Sequence, residues 1–260
     1  MPALSLKELL DVATDAARLG GTRALSYFKT GVAVETKADN TPVTRADRES
    51  EEVIRGVIAK HFPDHAVVGE ELGTQSGNPD YRWIVDPIDG TKSFIAGVPL
   101  WGVLIGVEVK GAASVGVIYC AAQDELVAAA KGLGCKLNGK PVKVSNVAKL
   151  SDATVLTSDI RMCQDRSDAY DRLAKPAKVV RTWGDAYGYL LVATGRAEIM
   201  LDPQMNPWDC APMLPILEEA GGHFTDWTGK PTIWGKDAIA CNAVLYPSVL
   251  ETLKSEKLRT

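Results

Sequence analysis

A short apolar run, Trp83-Ile84-Val85, leads into Asp86-Pro87-Ile88-Asp89-Gly90-Thr91, and this junction constrains the fold more than any other stretch of the chain. Such a run forms a strand that ends deep in a sheet. Pro87 has no N–H to give to a ladder, so pairing is expected to stop there and the chain to turn. Asp86 and Asp89 flank that turn, which lets two carboxylates and a main-chain oxygen converge. Gly90 permits unusual backbone angles or the close approach of a ligand. Thr91 can then open a helix whose free N–H groups face the same spot, an arrangement that suits phosphate. Clustered oxygen ligands select hard cations, Mg²⁺ above all. Taken alone, D-x-x-D-G reads equally well as an Asx-rich turn with a helix cap.

Three further acids fit the same volume. Ala66-Val67-Val68-Gly69 is a second short strand, and it ends in Glu70-Glu71, so Glu70 would stand beside Asp86. In isolation the pair reads as a solvated acidic loop. Asn206-Pro207-Trp208-Asp209 opens an apolar stretch from Cys210 to Ala220 closed by Gly221-Gly222. One helix is expected there, with Asn206 as N-cap and Pro207 at its first position. A first-turn carboxylate such as Asp209 is favoured by the helix dipole alone. Asp47 lies three residues after Thr44, ahead of a helix with Val53, Ile54, Val57 and Ile58 on its apolar side. It too could be an ordinary capping-box acid.

Together, Glu70-Glu71, D-P-I-D-G-T from Asp86, and N-P-W-D before an apolar helix ending Glu218-Glu219-Ala220-Gly221-Gly222 resemble the inositol monophosphatase-like phosphatases. These are Mg²⁺-dependent, lithium-sensitive enzymes that hydrolyse small phosphate monoesters. The resemblance implies an α+β fold, a layered α-β-α-β-α sandwich of the inositol monophosphatase / fructose bisphosphatase type. By the same resemblance, Glu70, Asp86 and the Ile88 carbonyl hold a first Mg²⁺, and Asp86, Asp89 and Asp209 a second, with two or three ions per site. Gly90 and Thr91 N–H groups receive phosphate oxygens. The Thr91 hydroxyl, oriented by Asp47, and Glu70 orient or deprotonate the attacking water, with no phosphoenzyme. Dimers are common in the family, so a homodimer is expected.

The substrate is narrowed by smaller signals. Lys92 and Ser93 follow D-G-T where inositol phosphatases usually have Thr and Asn. In Trp183-Gly184-Asp185-Ala186-Tyr187, Asp185 stands where inositol enzymes favour a small or hydroxyl residue. These segments, with 97–106 and 201–209, look like the histidinol-phosphate phosphatase branch. Histidinol phosphate carries an ammonium and an imidazole, so Asp185 and Asp202 would favour it over a neutral polyol. Gln204 is a further candidate contact. The expected reaction is L-histidinol phosphate to L-histidinol and phosphate, a step of histidine biosynthesis. Asp185 reads equally as the N-cap of a helix over 186–195, and Asp202 as a strand-end turn. Inositol 1-phosphate and 3′-phosphoadenosine 5′-phosphate are the alternative substrates. A regulatory binding protein of the same fold is an alternative of another class, although all five carboxylate positions are present.

Composition sets the outer limits. A net charge of −4 without a basic cluster argues against a nucleic-acid partner. Lys7 and Glu8 interrupt the apolar residues of the first ten, which argues against a signal peptide or membrane span. Five cysteines, odd in number and with no C-x-x-C, read as reduced cytoplasmic residues. Of three histidines, His61 and His65 are expected at the surface around Phe62-Pro63-Asp64, and His223 at the start of a strand. None sits at metal-ligand spacing, which excludes a histidine triad or zinc hydrolase. Ser5 to Glu8 forms a capping box for a helix through Phe28, and a loop spans Lys37 to Pro42. Strands are expected at 66–69, 81–86, 101–109, 115–121 and 125–130. Beyond Val144-Ser145-Asn146, strands at 153–157, 178–181, 197–201, 223–227 and 237–242 alternate with helices at 167–174, 185–195, 208–220 and 247–256. That switch predicts an N-terminal α+β domain, 1–148, with most metal ligands. A C-terminal α/β domain, 149–260, would carry Asp209 and the specificity residues.

Overall fold

The computed structural model describes residues 4–254. In chain order these form α1 (Leu6–Leu25), a ribbon of β1 (Val34–Thr36) and β2 (Pro42–Thr44), and α2 (Arg45–His61). Then come β3 (His65–Gly69), β4 (Gly73–Gln75), β5 (Asn78–Asp89), the short helix α3 (Thr91–Ile95), β6 (Gly102–Val109) and β7 (Ala112–Cys120). Strands β8 (Glu125–Ala130), β9 (Gly134–Leu137) and β10 (Lys140–Pro141) complete the first series. The second runs β11 (Thr154–Leu156), α4 (Ile160–Arg166), α5 (Ala169–Ala174), β12 (Val179–Arg181), α6 (Asp185–Ala193) and β13 (Ile199–Asp202). It ends with α7 (Pro207–Cys210), α8 (Met213–Glu219), β14 (Gly222–Thr225), β15 (Ala238–Asn242) and α9 (Tyr246–Lys254).

Strand parity decides the layers, because alternate side chains leave a sheet on opposite faces. The larger sheet has eight strands in the order β10-β9-β8-β7-β6-β5-β3-β4, antiparallel throughout except for β3 beside β5. On one face Trp83, Val85, Val103, Ile105, Val115 and Val117 pack against Leu9, Ala13, Ala16, Ile54 and Ile58 of α1 and α2. On the other, Ile84, Leu104, Ile118 and Val127 meet Tyr189, Leu190, Met213, Ile216 and Leu217 of α6 and α8. The smaller sheet, β12-β11-β13-β15-β14, covers that helical layer with Met200, Phe224 and Ala240. Its outer face, Val155, Ile199, Leu201 and Ile239, is closed by Cys163, Tyr170, Leu173, Val249 and Leu253 of α4, α5 and α9. The result is the expected α-β-α-β-α stack.

One contact fixes how the middle layer sits. Gly106 and Gly116 are cross-strand partners on β6 and β7. A Cβ on Gly106 would lie 2.5 Å from the Ala211 Cβ, and one on Gly116 would strike the Pro212 carbonyl. This pair of missing side chains forms a seat for the α7–α8 junction.

Several local expectations need correction. The helix expected over 208–220 is two, because Pro212 has no N–H to continue the first and the chain re-forms at Met213. The first helix stops at Leu25 and gives way to turns before Phe28. The ribbon β1–β2 flanks the loop at Lys37 to Pro42, and α4 occupies a stretch in which no helix was expected. The ladder of β5 does not end at Pro87. It pairs Asp86 with Leu104, skips two residues, and resumes with Asp89 opposite Gly102. His65 is buried rather than superficial: it accepts the Trp83 indole N–H at 3.0 Å and stacks on Phe62 and Tyr81. The last two residues expected in the C-terminal helix, 255 and 256, lie outside the described residues. Among the described residues no helix is long and apolar enough to cross a membrane.

Candidate active site

The irregularity in β5 is a β-bulge, and it aims the chemistry. Leu104 and Gly102 are two residues apart, so they share a face of β6. Asp86 and Asp89 oppose them from positions three apart, and the extra residue restores a common side. Pro87 sits in the skipped pair, where its missing N–H removes no ladder bond. Both carboxylates therefore turn toward the middle layer, where α7 waits. One oxygen each from Asp86, Asp89 and Asp209 lies within 4.8 Å of the others.

Asp209 is helix cap and cluster member at once. The Asn206 N–H donates to its Oδ2 at 2.7 Å, closing the capping box of α7. Burial lifts the Asp209 carboxyl to about 7; the Asn206 N–H opposes this, and Glu70 and Asp202 add to it. Asp86 accepts the Ile88 N–H at 2.9 Å. It is held well above the usual carboxylate range by burial first and then by Glu70, Asp89 and Asp209. Asp89 is raised likewise by burial, then by Asp185 and Asp209. Asp86, buried, and Asp89 and Asp209, half-buried, thus crowd one another with Glu70 near, which is unfavourable unless a cation or protons neutralise them.

Glu70 stands at the end of β3, its N–H bonded to the Val85 carbonyl at 3.1 Å. Lys37, from the loop between β1 and β2, donates to Glu70 Oε1 at 2.8 Å and Glu71 Oε1 at 2.6 Å. Burial lowers the Lys37 ammonium, but the two glutamates outweigh it and raise the group overall. Burial also lifts Glu71 to about 7, against the Lys37 bond. On the other side of the bulge, the Thr91 hydroxyl lies 3.0 Å from the Ile88 carbonyl oxygen and 3.4 Å from Asp47 Oδ1. Asp47 also closes the capping box of α2, accepting the Thr44 N–H at 2.8 Å. Burial raises its carboxyl against the Thr44 bonds. Gly90 caps α3 with φ +88°, and a Cβ there would lie 2.9 Å from the Leu100 carbonyl and 3.2 Å from Asp185 Oδ2. Only glycine fits such a position, and the first N–H groups of α3 have no carbonyl one turn back in the helix.

A cavity of about 320 Å³ opens from Asp89 and Asp209 toward a wall made by the second series of elements. Its lining includes Asp89, Asp159, Asp185, Asp202 and Asp209, with Lys92 as its one basic side chain. Gln204 is exposed on its rim. Gly184, not Asp185, holds the N-cap position of α6. Asp185 follows at φ +52°, a strained conformation for a residue with a Cβ, and its N–H donates to Ser158 Oγ at 2.9 Å. Burial raises its carboxyl, opposed by Ser158 and Lys92. Asp202 is more fully engaged. Its Oδ1 accepts the Ser158 N–H at 2.9 Å and its Oδ2 the Tyr189 hydroxyl at 2.9 Å. Burial lifts it to about 6, and those two bonds oppose the rise.

Of the nine side chains and three backbone groups singled out from sequence, those of Asp89, Asp185, Asp202, Gln204 and Asp209 line this cavity. Those of Glu70, Asp86, Ile88, Gly90 and Thr91 line a second one that shares Asp89, Asp185 and Asp209 with it, and Asp47 is reached through the Thr91 hydroxyl. Lys37, Ser158, Asp159 and Tyr189 were not singled out. Ser158 and Tyr189 carry no local signal, since each acts on a residue distant in sequence. Asp159, N-cap of α4, was hidden with that helix.

The inositol monophosphatase family model matches residues 5–258. The chain is 46% identical over 248 residues to the histidinol-phosphatase of Chlorobaculum parvum, covering 94% of this chain and 96% of that one. It is 37% identical over 257 residues to the fructose-1,6-bisphosphatase/inositol-1-monophosphatase of Aquifex aeolicus, covering 96% and 97% respectively. The solved structure of the inositol monophosphatase from Anabaena superposes with a TM-score of 0.85 at 32% identity, covering 97% of this chain and 98% of that one.

Proposed function

The chain belongs to the inositol monophosphatase family and is a phosphoric monoester hydrolase, and from that premise we propose that it converts L-histidinol phosphate to L-histidinol and phosphate with Mg²⁺. The observation that carries the substrate is the charge of the cavity wall away from the proposed metal ligands, Asp159, Asp185 and Asp202 against Lys92, with Asp185 set against the Gly90 backbone. A cationic alcohol suits that wall better than a neutral polyol. Similarity to a histidinol-phosphatase supports the same choice.

The donors around Asp86 are all oxygen and mutually repelling, with Asp86 buried and Asp89 and Asp209 half-buried, which fits a hard divalent ion. Glu70, Asp86 and the Ile88 carbonyl would hold one Mg²⁺, and Asp86, Asp89 and Asp209 a second. Such ions, when bound, stabilise developing negative charge and make water a stronger acid. The chain supplies the rest. Gly90 and Thr91 N–H groups receive phosphate oxygens and fix the ester for in-line attack. The Thr91 hydroxyl, oriented by Asp47, and Glu70 position the attacking water and take its proton. Asp185 and Gln204 read the alcohol directly, and Asp202 backs them by holding Ser158, whose hydroxyl receives the Asp185 N–H. In this division of labour, residues 1–148 carry most of the metal site and residues 149–260 carry Asp209 and the specificity wall.

A second reading, an inositol-1-phosphate phosphatase, is favoured by one feature: both Asp202 oxygens already accept internal hydrogen bonds. Phosphate release from histidinol phosphate, inositol 1-phosphate and 3′-phosphoadenosine 5′-phosphate separates the readings. Histidinol phosphate should lead, with activity lost in chelator and restored by Mg²⁺. Equal or greater turnover of the inositol ester would hand the site to the second reading, and no metal-dependent release from any ester would point to a binding protein.

A further inference from the structure

Glu51, on α2, is a glutamate with no exposed surface. A buried carboxylate is unfavourable unless its oxygens are bonded and its charge paired. Its partners are specific. Oε2 accepts the Glu71 N–H at 2.8 Å, and Oε1 accepts the Leu72 N–H at 3.3 Å and Arg55 Nε at 2.7 Å. Arg55 also donates to the Gly73 carbonyl beyond. Gly69 lets the carboxylate approach, since a Cβ there would collide with Glu51 Oε1. Glu51 therefore bonds the chain just after Glu70 and lies against Gly69 just before it. Glu70 faces Asp86 and would be pushed away by it in the absence of a cation. Its N–H is tied to β5 through Val85 and Lys37 holds its carboxylate, while the turn that follows, closed by the pairing of Gly69 with Gly73, has its Glu71 and Leu72 N–H groups bonded to Glu51.

We propose that Glu51 is a positioning residue for metal binding: it holds the turn at residues 69–72 so that the Glu70 carboxylate stays aimed at the metal site against repulsion from the neighbouring aspartates. The inference rests on the reading of Glu70 as a metal ligand. Outer groups that orient ligands typically change metal affinity by about 10–100-fold when removed.

The test is Mn²⁺ binding to the full chain by electron paramagnetic resonance, together with the Mg²⁺ half-saturation of phosphate release. Glu51→Gln and, as a milder change that keeps the cation, Arg55→Lys are compared with wild type and Glu70→Gln. Glu51→Gln should weaken Mn²⁺ binding about tenfold or more and raise Mg²⁺ half-saturation in parallel, with kcat at saturating Mg²⁺ and ester KM close to wild type. Arg55→Lys keeps the charge beside Glu51 but loses the fork to the Gly73 carbonyl, so it should shift affinity in the same direction by less, and it keeps the inference testable if Glu51→Gln does not fold. Gly69→Ala should reproduce the shift with Glu51 intact. Loss of melting temperature with unchanged Mn²⁺ affinity in Glu51→Gln or Arg55→Lys, beside a weakened Glu70→Gln, would overturn the role of Glu51. Unchanged affinity in Glu70→Gln itself would instead overturn the assignment of Glu70.

Discussion

Asp86 and Asp202 are both 2% exposed, yet the chain treats them in opposite ways. Asp86, on the face of the larger sheet, accepts one backbone N–H and otherwise looks at other carboxylates. Asp202, on the smaller sheet, has donors on both oxygens from residues 158 and 189. One carboxylate holds two layers together; the other is short of internal partners, as the proposed cation ligand would be. Burial alone does not separate these roles. The inventory of internal partners does.

The sharpest way to break that comparison is Asp86→Asn. Turnover should fall about 10³-fold or more, because the charge and the second oxygen of the proposed shared ligand are lost. Melting of the metal-free protein should stay level or rise, since a repelling charge has gone. A marked fall in metal-free stability would make Asp86 a structural residue like Asp202. Asp209→Asn comes next, with an expected loss of about 10²-fold or more in kcat/KM and a cap contribution of only about 1 kcal/mol or less. Denaturant melts read beside the kinetics separate those two parts.

Asp185→Asn probes the wall with a smaller effect. A charge-assisted hydrogen bond contributes about 1.5–3 kcal/mol, so histidinol phosphate should lose about one to two decades in kcat/KM while neutral esters change little. Uniform losses across esters would make Asp185 part of the scaffold. For Asp202→Ala the prediction reverses in kind: about 1–3 kcal/mol of stability is lost as Ser158 and Tyr189 lose their acceptor, and the choice among esters moves least. A catalytic collapse at unchanged stability would put Asp202 on the Asp86 side.

The smallest effect is in pH. Asp202 titrates at about 6 in the folded chain, above the usual 3.8 of an unfolded aspartate. Between those values the folded form holds a proton that the unfolded form has released, so this group's contribution to stability declines as pH rises through that interval. The lead of metal-free wild type over Asp202→Asn should therefore shrink from pH 4 to 6 and then level. A lead that widens over that range contradicts the assignment.

The parts of this site legible in sequence were those coded by neighbours in the chain. Trp83-Ile84-Val85, the D-P-I-D-G-T turn and the capping acids Asp47 and Asp209 each carry a local physical signal. The clamp of Lys37 on Glu70 and Glu71, and the bonds from residues 158 and 189 to Asp202, join segments far apart in the chain. No periodicity marks them. The continuation of β5 past Pro87 was missed because a proline in a bulge removes no bond, so the breaker rule has nothing to break there. His65 was misread because the stack of Phe62, His65 and Tyr81 gives an imidazole an apolar home that composition does not reveal. The division of the helix after Pro207 was written plainly in Pro212, which the apolar run obscured.

The glycine pair on β6 and β7 has a consequence for how the protein comes to be active. Asp209, two residues before Ala211, meets Asp86 and Asp89 where the Ala211-Pro212 corner sits on Gly106 and Gly116. A chain with its first sheet formed but its later layers undocked would present a partial ligand set and retain an ion poorly. On the proposed ligand assignment, ion capture would therefore act as an inspection of finished assembly, admitting chains whose halves have met and passing over the rest.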